Sequence, residues 1–141
     1  MLKRLAFLIS FALLTACIGT GTTSVQEVQR ASYVQDGSVY VYRGKMFVGS
    51  ANVAAIELNN KPLGELGTKQ TIIGKAKSGE NILQATFGLS KAWGDNVTVV
   101  KFKSDGKKNH YFLYTFRQTF WNNVYDLLEI SEESFKKTLG S

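Results

Sequence analysis

The chain has 141 residues, 44% of them hydrophobic, with a single Pro, a single Cys, a single His and a formal net charge of +6. That composition fits one globular domain, and it excludes a disordered chain, a collagen-like repeat and a disulfide framework. With one His and one Cys there are too few soft ligands for a Cys/His zinc site.

The first predicted element is not part of the fold. Lys3 and Arg4 precede an apolar run from Leu5 to Leu14, which small residues follow; this charged, apolar, small order is that of a secretory signal. The run is about ten residues against the roughly 20 that a spanning helix needs, so it directs the chain for export and is then removed. Leu14-Thr15-Ala16-Cys17 resembles the lipobox of bacterial lipoproteins. The resemblance implies cleavage after residue 16 and acylation of Cys17, which consumes the only thiol as a lipid anchor. A single acyl chain contributes ~0.8 kcal/mol per buried CH₂ and holds only marginally, so the several chains of a bacterial lipoprotein are what make such an anchor durable. Ile18 stands where the family places Asp in proteins kept at the inner membrane. The expected address is therefore the outer membrane, facing the periplasm.

Residues 17–36, rich in Gly and Thr at their front, carry neither helical nor strand periodicity and are expected to form a flexible tether. Residues 37–141 are expected to form the folded domain. Its strands follow at short spacing: Ser38 to Tyr42, where Val39 and Val41 alternate with Tyr40 and Tyr42, then Val53 to Leu58. Asn59-Asn60-Lys61-Pro62 breaks the pattern as a hairpin turn, because Asn tolerates positive φ and Pro cannot donate to a central ladder. Leu63 to Leu66, Thr71 to Ala76 and Asn81 to Phe87 continue the series, the last two joined by the turn Lys77-Ser78-Gly79-Glu80. About seven strands with turn signals between them predict an all-β sandwich.

Asp105-Gly106 lies between the strand patterns Val97 to Lys103 and Asn109 to Arg117, and Asp-Gly in such a place is a strong hairpin signal. Read as a hairpin, it sets Val100 and Phe102 on a face with Tyr111 and Leu113, and Val97 and Val99 on the other with His110, Phe112, Tyr114 and Phe116. Both faces are apolar, yet a two-sheet domain has one interior. A cover is needed, and Phe120, Trp121 and a short C-terminal helix are expected to supply it. Ser131 suits the N-cap of that helix, Glu132 and Glu133 its first turn, and Lys136 and Lys137 its last, with Phe135 and Leu139 one turn apart.

Little chemistry is legible in these patterns. His110 stands alone on a strand, beside Lys101 or Lys103 in that register, and is expected to be a packing or surface residue. No catalytic residue, metal site or cofactor site is assigned; Glu57 and Glu65, flanking one hairpin, are the carboxylate pair that a hydrolytic reading would need. Trp93, in the polar loop Gly88 to Asn96 between Lys91 and Asp95, is expected to pack over the end of the sandwich or, if exposed, to stack on a sugar or anchor a partner. Met46-Phe47-Val48 in the other long loop admits the same role. The scattered Lys and Arg residues read as a solvated rim, with weak attraction to anionic lipid or polysaccharide as the alternative, and no nucleic-acid partner is expected in this compartment.

Val39-Tyr40-Val41-Tyr42-Arg43, the strand ending in Asn59-Asn60-Lys61-Pro62-Leu63-Gly64-Glu65-Leu66, and Lys77-Ser78-Gly79-Glu80-Asn81 together resemble a family of small bacterial lipoproteins of unknown function with a PEGA-like β-sandwich. That family has a YxYR strand, an xGKPVGxL hairpin and a PGxH turn, so the resemblance covers roughly Ser38 to Leu139. It implies a sandwich fold and an envelope location, and brings no catalytic residues. The expectation is a lipid-anchored, non-enzymatic envelope lipoprotein, structural or protein-binding. The alternatives are a glycan or small-ligand binder using Lys91, Trp93 and Asp95, and a periplasmic immunity or inhibitor protein.

Overall fold

A computed structural model describes residues 36–45, 52–88, 96–121 and 123–141. Eight strands and one helix occur among them: β1 Ser38–Arg43, β2 Ala54–Leu58, β3 Lys61–Leu66, β4 Thr71–Lys75, β5 Gly79–Phe87, β6 Asn96–Ser104, β7 His110–Gln118, β8 Asn123–Ile130 and α1 Glu132–Leu139. They make an all-β sandwich of two four-stranded sheets, ordered β4-β1-β7-β8 and β3-β2-β5-β6, with the short helix at the C-terminus. Every pairing is antiparallel except β1 with β7, which is parallel.

The core between the sheets follows from strand alternation. Val39 and Val41, Ile56 and Leu58, Leu83, Ala85 and Phe87, and Phe112 and Tyr114 each point inward at every second position. Phe102 of β6 meets Phe112 of β7 across the gap, ring centroids 5.1 Å apart. The first sheet is apolar on its other face as well, and α1 closes it. Tyr40 and Tyr111 stack at 5.0 Å and 13°, and Phe135 sits against both and against Tyr42. Ile73, Leu113, Ile130 and Leu139 complete this second cluster.

The helix ends are as the residue types dictate. The Ser131 hydroxyl accepts from the Ser134 amide at 3.1 Å, satisfying one of the free N–H groups of the first turn, and Lys136 pairs with Glu132 at 2.6 Å. The expectation about the cover holds for the helix and fails for Phe120 and Trp121. Those two lie at the tip of the β7–β8 hairpin and are 92% and 85% exposed.

The face assignment built on Asp105-Gly106 is also overturned. β6 pairs with β5 in the second sheet along nine residues, and β7 lies in the first, so the connection bridges the sandwich and no ladder relates the two strands. Phe102 and Phe112 therefore share the interior, while Val97 and Val99, 51% and 50% exposed, lie on the outer face of the second sheet. The turn chemistry itself is present. Asp105 Oδ1 accepts from the amides of Lys107 at 2.8 Å and Lys108 at 2.7 Å, which holds the carboxyl below the usual range, and Gly106 adopts φ +75°. An Asp-Gly turn specifies a reversal of direction, and that serves a change of sheet as well as a hairpin.

The β2–β3 hairpin matches its sequence closely. Asn59 and Asn60 have φ of 53° and 62°, the two positive values of a type I′ turn, and Leu58 pairs with Lys61 across it. Pro62 is accommodated because β3 is an edge strand. A buried side chain ties this turn to the next one. Asn81 donates to the carbonyls of Lys77 and Gly79, at 2.8 and 3.0 Å, and its Oδ1 accepts from the Lys77 amide and from Asn59 Nδ2, at 3.0 and 2.9 Å. Asn59 Oδ1 in turn accepts from the Ile82 amide at 2.9 Å.

Asn81→Leu removes the partner of two carbonyls and an amide that are only partly buried, and unfolding in urea is expected to show a loss of about 1–3 kcal/mol, the cost of an orphaned buried group where water reaches the others. Phe135→Ala empties the centre of the second cluster and is expected to cost about 3–5 kcal/mol. Ending the chain at Ile130 is expected to expose Tyr40, Tyr42 and Tyr111 together and to produce dye-binding, self-associating protein in gel filtration; a monomer with an unchanged midpoint would show that the helix is not the cover.

Candidate functional site

Three places in the sandwich carry unusual chemistry. The first is the end where β1 begins. Gly37 donates to the Lys107 carbonyl at 2.7 Å and Ser38 to Asn109 Oδ1 at 2.9 Å, so the β6–β7 bridge is clamped against the start of β1. Gly37 is required there: a Cβ on it would lie 2.4 Å from the Gly106 carbonyl oxygen. Beside this clamp His110 points into the sandwich, only 6% exposed, with its ring 4.8 Å from that of Phe102. Nδ1 lies 2.8 Å from Oε1 of Glu129, a β8 side chain that is 47% exposed. An ionised carboxylate only accepts, so in that state Nδ1 carries the proton of the contact.

His110 is thus a packing residue, as its isolation suggested, but its partner is Glu129 and not the Lys101/Lys103 row expected from the false hairpin. A cavity of about 490 Å³ opens beside it, lined by Lys103, Ser104, Asp105, Lys108, His110 and Glu129. A serine, a histidine and a carboxylate line one cavity without forming a relay. Nε2 is buried and has no hydrogen-bond partner among the described residues, while the Ser104 hydroxyl accepts from the Gly106 amide. Among the described residues no group of three His, Cys, Asp or Glu side chains is arranged to hold a metal ion.

The second place is the opposite end, where β1 finishes on Arg43. This guanidinium is fully buried. Nη1 donates to the carbonyls of Asn52 and Leu66, and the group lies 5.3 Å from the centre of the Phe87 ring. Burial pulls its pKa down, and Tyr114 and Tyr125 nearby act in the other direction. Its backbone accepts from Lys69 at 2.8 Å and donates to Gln70 at 3.0 Å. The role is structural: Arg43 joins the end of β1 to the chain around β2, β3 and β4. Sequence patterning missed it, because a basic residue closing a strand ordinarily reaches water, and the YxYR resemblance is the signal that could have flagged it.

The third place is the hairpin tip, and it is the strongest candidate for contact with another molecule. β1 ends opposite Tyr114, whereas the β7–β8 ladder runs on through Thr115, Phe116, Arg117 and Gln118. The ribbon therefore projects about 13 Å past the end of its neighbour at ~3.3 Å per residue. It is stiffened along its length. Phe116 packs on Tyr125 at 5.1 Å, Arg117 Nε and Nη2 both donate to Asp126 Oδ2, and the Thr98 hydroxyl of β6 donates to the Tyr125 carbonyl at 2.8 Å. Phe120 and Trp121 crown it, packed edge to face on one another at 5.2 Å.

The residues singled out from the sequence stand differently. Cys17, Lys91, Trp93 and Asp95 lie outside the described residues, as do Met46, Phe47 and Val48. Glu57 is opposite Pro62 and Glu65 opposite Ala55, on the outer face of the second sheet, so the pair is spread along β2 and not gathered into a cleft. Among the described residues no helix is long and apolar enough to cross a membrane.

The buried tyrosines make stability depend on alkaline pH. Burial raises the Tyr114 pKa well above its ordinary 10.0, and the hydroxyl has no hydrogen-bond partner among the described residues. Above pH 10 the unfolded chain releases this proton and the folded chain does not, so the contribution is complete below pH 10 and is lost as pH rises towards the folded value. Tyr114→Phe is expected to be neutral or stabilising at pH 7 and to flatten the fall of the thermal midpoint above pH 10; a curve parallel to that of the native chain would remove Tyr114 as the cause. Compared with known proteins, the chain matches no family model, no curated protein and no solved structure.

Proposed function

We propose that this chain is a lipid-anchored lipoprotein of the bacterial outer membrane, facing the periplasm, whose sandwich is a non-enzymatic binding module. The observation that carries the binding reading is the Phe120–Trp121 tip: two large rings held almost wholly in water at the end of a braced ribbon. Leaving them there forgoes about 25 cal/mol for each Å² of apolar surface that burial would remove from water. Trp is among the side chains that most often carry the binding energy of a contact between molecules. The anchor reading rests on the sequence, on Lys3-Arg4, the apolar run to Leu14 and the lipobox-like Leu14-Thr15-Ala16-Cys17, together with the resemblance to PEGA-like lipoproteins.

Each half of the proposal has its own test. Cys17→Ser is expected to abolish fatty-acid labelling and to leave uncleaved precursor, because acylation of the thiol precedes cleavage in lipoprotein processing; a mutant that is cleaved normally and still labelled would refute the anchor. A photoreactive side chain at position 121 is expected to crosslink to an envelope component, lipid or protein, in intact cells, and one at position 60, in the Asn59-Asn60 turn, is expected to give no such adduct. Equal labelling at both would refute the tip as the contact.

A further inference from the structure

We infer that the Phe120–Trp121 tip takes a lipid bilayer as its partner, the two rings entering the headgroup region as a second point of membrane contact. The inference deepens the binding reading given above and rests on it. The chemistry of the tip points to lipid. From Gln118 to Trp121 the sequence is Gln-Thr-Phe-Trp, with no charge to desolvate. Trp is the side chain most at home at that depth, with an apolar ring and one polar N–H.

Charge at the same end is compatible with an anionic surface. The exposed Lys45 and Lys69 lie just beyond and beside the end of β1, while the charge of Arg117 is balanced by its ion pair with Asp126. Asp126 is engaged by Arg117, and Glu65 lies on the outer face of the other sheet. Cations within a Debye length of an anionic leaflet add attraction to that of inserted rings.

Chain length permits the geometry. Asp36 is at the end of the sandwich opposite the tip, since β1 and β7 run parallel and Gly37 bonds to the bridge before β7. The longest strands have nine residues and so span about 30 Å, while the 18 residues between Cys17 and Asp36 have a contour of at most ~60 Å. A domain anchored through Cys17 can lie along the membrane or turn its far end to it. Tip insertion would select the second orientation.

The full chain carrying Trp93→Phe leaves Trp121 as the sole indole, and can be reconstituted in vesicles of phosphatidylethanolamine and phosphatidylglycerol. Trp121 emission is expected to shift to shorter wavelength, to be quenched by lipids brominated on their acyl chains and to be shielded from iodide. Phe120→Ser in the same background is expected to weaken the bromine quenching several-fold. Water-like emission that iodide quenches and brominated lipid does not would overturn the inference. So would a shift that appears only when envelope proteins are added, which would assign the tip to a protein pocket. If Trp93→Phe fails to fold, the difference between the native chain and Trp121→Phe gives the same readout. Failure of the anchor reading is seen separately, as absence of fatty acid on Cys17; vesicles added to that unacylated chain still report whether Trp121 enters them.

Discussion

The structure depends on burying one strand from both sides. All six residues of β1 are buried: Val39 and Val41 face the second sheet, and Tyr40 and Tyr42 face the helix. A strand at the middle of a sheet has its backbone satisfied by two neighbours, here β4 and β7, but each of its faces needs its own cover. One cover is the second sheet. The other is eight residues of helix carrying Phe135, and this is why the C-terminal segment belongs to the fold and is not an appendage to it.

Polar groups at the two ends of β1 are handled in different ways. At its start, glycine and side-chain amides do the work: Gly37 lets the Gly106 carbonyl approach, and Asn109 accepts from Ser38. At its finish a full positive charge is placed inside the protein. Arg43 is costly to desolvate, and the carbonyls of Asn52 and Leu66 with the face of Phe87 offset that cost by direct contact. The arrangement leaves the Tyr114 hydroxyl without a partner among the described residues, so the interior at that end is not fully compensated.

Much of this was legible in the residues, and the misreadings have a common origin. The alternation in β1 and β7 announced two apolar faces, Asn59-Asn60 announced a turn with positive φ, and Ser131 with its flanking charges announced a capped helix. Each is a local signal, satisfied within a few residues of where it is written. The pairing of β6 is not local. A turn sequence reports how the chain reverses, whereas the choice between hairpin and sheet-crossing bridge is made by where Phe102 finds its apolar neighbours. The same limit applies to Phe120 and Trp121, whose hydrophobicity argues for burial in sequence and whose place at a hairpin tip denies it. Arg43 errs in the opposite sense, a charge that local pattern assigns to solvent and tertiary contacts enclose.

The parallel pairing of β1 with β7 has a consequence for the order of assembly. The residues it joins are 71 apart, as in the bond from Ser38 to Asn109, so closing that ladder means closing a loop that takes in β2 to β6. Topologies dominated by such distant contacts fold slowly, in milliseconds to seconds, because loop entropy is spent before the contacts repay it. During synthesis or passage through a membrane, Ser38–Arg43 emerges first among the strands and waits for β7, and then for α1, to emerge last. The most deeply buried strand of the finished protein therefore has β4 beside it early but its other edge and its outer face bare until late, and the helix that completes its enclosure is the last of the described elements to arrive.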